Sequence, residues 1–195
     1  LRHPGKIGSA IVLTMLLAVG CAGQGSGIGP AGDGQVLANL PPQPLDRVLL
    51  LEQSGASPDD TTVTFAAGRG RSIAMRHAPP DNAVFAILAV PADPLATDTI
   101  VLTLAPMPGR YGLRIDAAPR LPPGTSLTFS YAIHFQAPAG ALDRYATVSR
   151  FARAMGIGRV LGDDRFQFLL ERRPATDMLA TSVDLPGDYV VAAPR

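Results

Sequence analysis

One cysteine, Cys21, stands among 195 residues, so no disulfide can form within the chain. Charge is sparse and balanced, with 17 basic and 16 acidic side chains giving a net +1. A nucleic-acid partner, which needs clustered Lys and Arg to neutralise phosphates, is therefore not expected. The apolar run from Ile7 to Val19 is shorter than the ~20 residues that span a bilayer, which argues against a permanent transmembrane helix. Histidine is scarce: beyond residue 20 only His77 and His134 occur, and a catalytic zinc ordinarily takes three protein ligands, so no metal or other cofactor is expected. Gly-x-Ser-x-Gly, His-Glu-x-x-His and Ser-x-x-Lys are all missing, so no hydrolytic motif is written in the sequence. A triad assembled only in space stays open.

What is present begins at the start. Arg2, His3 and Lys6 are basic, Ile7 to Val19 is apolar, and small Gly20 precedes Cys21, which is the pattern of an export signal. Leu17, Ala18, Val19, Gly20 and Cys21 together resemble a bacterial lipobox, with Ala18 where Leu is commonest. That resemblance implies a signal peptide over 1–20, a Cys21 carrying palmitate-type acyl chains, and a protein held to the membrane of the cell envelope with its domain outside the cytoplasm. Ala22 rather than Asp after the cysteine implies the outer membrane, where the host has two. The competing reading of Cys21 is a buried apolar residue.

Residues 21–44 carry glycines at 23, 25, 27, 29, 32 and 34 and few large apolar groups, which predicts a flexible linker. Gly25-x-Gly27 follows no strand and has no lysine, so it is not a phosphate loop. The remainder, 45–195, is of single-domain length.

Within it the hydrophobic period is two. Leu45 to Glu52 suits a strand or a helical turn and is read as a first strand. Thr61 to Ala67 and Ser72 to His77 alternate about Gly68-Arg69-Gly70 and are read as a hairpin, with Val63 and Phe65, then Ile73 and Met75, inward. Ala83 to Val90 is apolar nearly throughout, as in a strand buried on both faces. Ile100, Leu102 and Leu104, and then Tyr111, Leu113 and Ile115, mark two further strands. Thr125 to Phe135 is the cleanest, with Leu127, Phe129, Tyr131, Ile133 and Phe135 on one side, and should be central. Ala141 to Met155 alone has the three- and four-residue spacing of a helix. Ile157 to Leu161 and Arg165 to Glu171, with Phe166, Phe168 and Leu170 inward, flank the turn Gly162-Asp163-Asp164. Asp177 to Leu185 and Asp188 to Ala193 are read as a last hairpin about Pro186-Gly187. Short strands separated by Pro and Gly turns predict an all-β fold, a single antiparallel β-sandwich of immunoglobulin-like kind.

Phe85 to Leu95, followed by Thr99 to Leu104, resembles the apolar strand, proline, small residues and Thr-rich strand of ZU-five-like β-sandwich domains. Leu127 to Tyr131 and Gly187 to Ala192 extend the resemblance over Thr61 to Ala193. Some members of that family cut themselves at His-Phe-Ser. Here His134-Phe135-Gln136 lacks the hydroxyl, so self-cleavage is not implied.

The remaining candidates are weaker. Asp59-Asp60 and Asp163-Asp164 lack the alternating carboxylates of a calcium loop and are read as turns. Nothing in the spacing brings His77 and His134 together. Arg150, Arg153, Arg159, Arg172 and Arg173 make the last third basic, a solvated face or a surface for an acidic partner or anionic lipid. The expectation is a non-enzymatic envelope lipoprotein whose sandwich binds a protein or envelope component or serves a structural role. The alternative is an envelope-acting hydrolase or an accessory subunit of an enzyme.

Overall fold

Alternation decides most of this chain, because side chains one residue apart on a strand face opposite sides and a run of inward apolar groups buries one face. The computed structural model describes residues 37–195, and the fold there is all-β. Its strands are β1 (Gln43–Pro44), β2 (Val48–Leu50), β3 (Glu52–Gln53), β4 (Thr61–Ala66), β5 (Arg71–Arg76), β6 (Val84–Val90), β7 (Thr99–Pro106), β8 (Gly112–Ala118), β9 (Ser126–Ser130) and β10 (Phe135–Gln136). After two short helices, α1 (Ala141–Tyr145) and α2 (Val148–Ala154), come β11 (Gly156–Leu161), β12 (Arg165–Phe168), β13 (Glu171–Arg172), β14 (Met178–Ser182) and β15 (Gly187–Pro194). No helix among these residues is long and apolar enough to cross a membrane.

The strands form an eight-stranded sheet, β1-β12-β11-β15-β8-β7-β4 with β2 also on β15, a five-stranded sheet, β13-β14-β9-β6-β5, and the small pair β10-β3. Every pairing is antiparallel. The two large sheets enclose one core, in which Phe85, Leu88, Leu127 and Phe129 of the smaller sheet pack with Leu102, Leu104, Leu113, Ile115 and Val191 of the larger. As the alternation predicts, β9 is the middle strand of its sheet.

Two expected hairpins are corrected. β4 pairs with β7 while β5 pairs with β6, so the turn at Gly68 to Gly70 carries the chain from one sheet to the other. Likewise β14 pairs with β9 and β13, and β15 with β11, β8 and β2, so Pro186-Gly187 is a second crossing. Alternation fixes which side chains face inward, and an inward face on either sheet satisfies it equally. The β11–β12 hairpin forms as expected, with Phe166 and Phe168 buried, but Leu170 lies outside it and is 60% exposed.

The linker is shorter than its composition suggests. Leu37 is buried with Val48, Phe166, Phe168, Val190 and Ala192 in a second cluster, flanked by Leu40 and Leu45, and β1 pairs with β12. Residues 37–44 are therefore part of the folded unit, and β15 is covered on both faces. Leu45 to Glu52 is not one strand: Leu45–Arg47 is a 3-10 turn that leads into β2 and β3. β6 is deeply buried at Phe85, Ala86, Leu88 and Val90 and only half-buried at Val84, Ile87 and Ala89. The strand expected to run to Phe135 stops at Ser130, and the chain bends so that His134 adopts φ 56° and Phe135–Gln136 pairs with β3. The helix expected over 141–155 is two, interrupted where Ala146 takes a left-handed conformation.

Candidate functional site

The bend after β9 has a chemical result. His77 leaves β5 just beyond an irregularity at Met75/Arg76, and its backbone N–H donates to Ala83 O at 2.9 Å. The side chain is buried against the edge of Phe85, with centroids 5.4 Å apart, and near Tyr111. Its Nδ1 lies 3.3 Å from Ala56 O. A carbonyl only accepts, so Nδ1 carries the proton and Nε2 presents a bare lone pair, which is buried with no hydrogen-bond partner. Desolvation lowers the His77 pKa, outweighing the Ala56 contact; His134 lowers it further, and Asp81 opposes.

His134 sits beside it, ring centroids 4.9 Å apart. Its Nε2 is 2.7 Å from Asp81 Oδ2, and both side chains are partly exposed. Gly55 lies flat on the His134 ring, where a Cβ would overlap the ring atoms. Ser54 N–H donates to His134 O at 3.1 Å. Ser54 Oγ approaches the same carbonyl at 3.4 Å rather than the imidazole, so this hydroxyl does not complete a triad. Tyr111 ties down the bend by donating its hydroxyl to Ile133 O.

Nothing in the sequence spacing relates the two histidines, yet the structure brings them together with Asp81. The break in the Thr125 to Phe135 alternation that makes this possible leaves no mark in residue type. Among the described residues no three His, Cys, Asp or Glu side chains are grouped to hold a metal ion.

A second feature is larger. A cleft of about 980 Å³ runs beside β2, with Pro44, Pro108 to Arg110, Pro138 and Ala139 on its walls. Its charged lining is Asp46, Glu52, Asp163 and Asp164 against Arg110 and Arg195. Asp163 and Asp164 form the β11–β12 turn as expected, both with positive φ, and Asp164 O accepts from Leu45 N–H at 2.7 Å.

The arginines are engaged in different ways. Arg173 is spent on the end of α2, donating to Ala152 O at 3.2 Å, Arg153 O at 3.1 Å and Met155 O, and it pairs with Glu171 at 3.3 Å. Arg159 donates to Pro186 O at 2.9 Å. Arg150 and Arg153 lie exposed on α2, Arg172 lies exposed on β13, and Asp59 and Asp60 are exposed before β4. Cys21 and the preceding Leu17, Ala18, Val19 and Gly20 lie outside the described residues. Comparison with protein-family models, with curated proteins and with solved structures returned no match for this chain.

Proposed function

We propose that this chain is a lipid-anchored protein of a bacterial cell envelope whose β-sandwich is a non-enzymatic binding module. In this reading acylated Cys21 holds the domain to the membrane, the outer one where two exist, by the Gly-rich segment that follows. The basic start, apolar run and Gly20-Cys21 junction support the anchor. The cleft of about 980 Å³ beside β2, at the upper end of the usual size for ligand sites, carries the binding reading.

Expression in a bacterium fed labelled palmitate tests the anchor. Wild type should be labelled and fractionate with membranes, whereas Cys21→Ala should be unlabelled. An unlabelled wild-type chain sinks the proposal.

A hydrolase is the second reading, favoured by one observation: the Asp81–His134 pair at 2.7 Å is the carboxylate–imidazole half of a general base. A panel of chromogenic ester, phosphate and glycoside substrates distinguishes the two. Turnover lost in His134→Ala would favour the enzyme.

A further inference from the structure

The cleft is bounded by the edge of a strand, and the backbone geometry shows which edge. Arg195 N–H donates to Arg47 O at 2.8 Å and Leu51 N–H donates to Val191 O at 2.8 Å, so residues 47, 49 and 51 turn their hydrogen-bonding groups toward β15. Successive residues of a strand point these groups in opposite directions. Val48 and Leu50 therefore face away from β15, toward the side of β2 where no strand is paired; Val48 N–H closes the preceding 3-10 turn on Leu45 O, which leaves Val48 C=O and the N–H and C=O of Leu50 on that edge. All three β2 residues line the cleft.

Exposed edges are ordinarily blunted by lysine, proline or a bulge. Val48-Leu49-Leu50 has none of these, and what shields it is a rim of charge. We propose that the outer edge of β2 accepts an extended basic peptide segment as an added antiparallel or parallel strand. This rests on the binding-module reading and names the partner. Main-chain bonds to Val48 C=O and to the N–H and C=O of Leu50 supply the attachment, as in other strand additions. The charge of the occupant follows from four carboxylates against two guanidinium groups on the lining, in a chain whose overall charge is +1. The same excess opposes a second copy of this chain, since pairing two β2 edges would bring two acidic rims together.

The test is fluorescence anisotropy at low salt with the detergent-solubilised full chain and labelled octapeptides: alternating Lys-Thr, alternating Glu-Thr, and the Lys-Thr peptide N-methylated at every second amide. The Lys-Thr peptide should bind and the Glu-Thr peptide should not. N-methylation, which removes one edge of donors and leaves the charge, should weaken binding at least about tenfold. Asp163→Asn/Asp164→Asn, whose new side chains tolerate positive φ, should weaken it about tenfold by removing two charges. Leu50→Pro, which deletes an outward N–H, should abolish it.

Equal binding of the N-methylated peptide, or binding unmoved by Asp163→Asn/Asp164→Asn, overturns strand addition while leaving the cleft a binding site. No binding of the Lys-Thr peptide overturns it as well, and the palmitate result stands apart from all of these. A dimer in sedimentation that Leu50→Pro dissolves and the peptide cannot displace would overturn the choice of partner.

Discussion

His77 and His134 face each other with ring centroids 4.9 Å apart, one buried and aimed at a backbone carbonyl, the other at the surface on Asp81. Burial makes His77 a weaker base in the folded protein than in the unfolded chain. The unfolded chain then binds more protons as pH falls below the ordinary histidine value of about 6.5, so the folded state loses stability there and keeps it above. Urea midpoints should fall between pH 7.5 and 5 more steeply in wild type than in His77→Asn. Equal slopes would mean that folding leaves the proton affinity of His77 unchanged, and would contradict its burial as the cause.

Gly55→Ala should dislodge His134, because the added methyl overlaps the imidazole. The expected loss of stability is about 1 to 3 kcal/mol, the usual effect of forcing an extra group into a filled space. Nuclear magnetic resonance of the His134 ring should show the Asp81 contact broken in that variant, and an unchanged ring spectrum would contradict the packing described.

All four tyrosines, 111, 131, 145 and 189, are pushed above the ordinary phenol pKa, with burial the leading cause in each. The folded state holds these protons longer than the unfolded one. Stability is therefore complete below about pH 10 and declines as pH rises beyond it. With no tryptophan in the chain, tyrosinate absorbance is read without interference. It should rise together with loss of the β-sheet circular dichroism signal; a phenol that titrates near pH 10 in folded protein would contradict this.

Phe129 is fully buried between Leu179 and Ala86 in the pairing register of β9, and it meets Phe85 edge-on at 5.7 Å. Phe129→Ala should cost about 3 to 5 kcal/mol. Thr128, on the opposite face and only half-buried, should cost about 0.5 kcal/mol as Thr128→Ala. Chemical denaturation of the full chain measures both, and any truncation should keep Leu37, which is part of a core cluster.

The all-β class and most strand positions were legible because inward residues such as Ile100, Leu102 and Leu104, or Tyr111, Leu113 and Ile115, recur at period two and are indeed buried. Partnership was not legible. Phe65 and Ile73 both point inward, but from opposite sheets, and no local rule distinguishes a hairpin turn from a crossing of the same length. The histidine pair was hidden for a related reason: it depends on a left-handed residue at His134, a bend that side-chain type alone does not announce. The acidic turn Asp163-Asp164 was visible as a turn, while its place on the cleft required the Leu37 to Leu45 segment to fold across β12.

β15, the final strand in chain order, lies between β11 on one side and β8 and β2 on the other. A growing polypeptide therefore cannot close its larger sheet until residues 187–194 have emerged, and every contact that β15 makes with β2 joins distant parts of the sequence. Such long-range closure slows folding. A partly synthesised chain would keep the two halves of this sheet apart, β11 and β12 on one side and β4, β7 and β8 on the other, as open edges awaiting one shared strand.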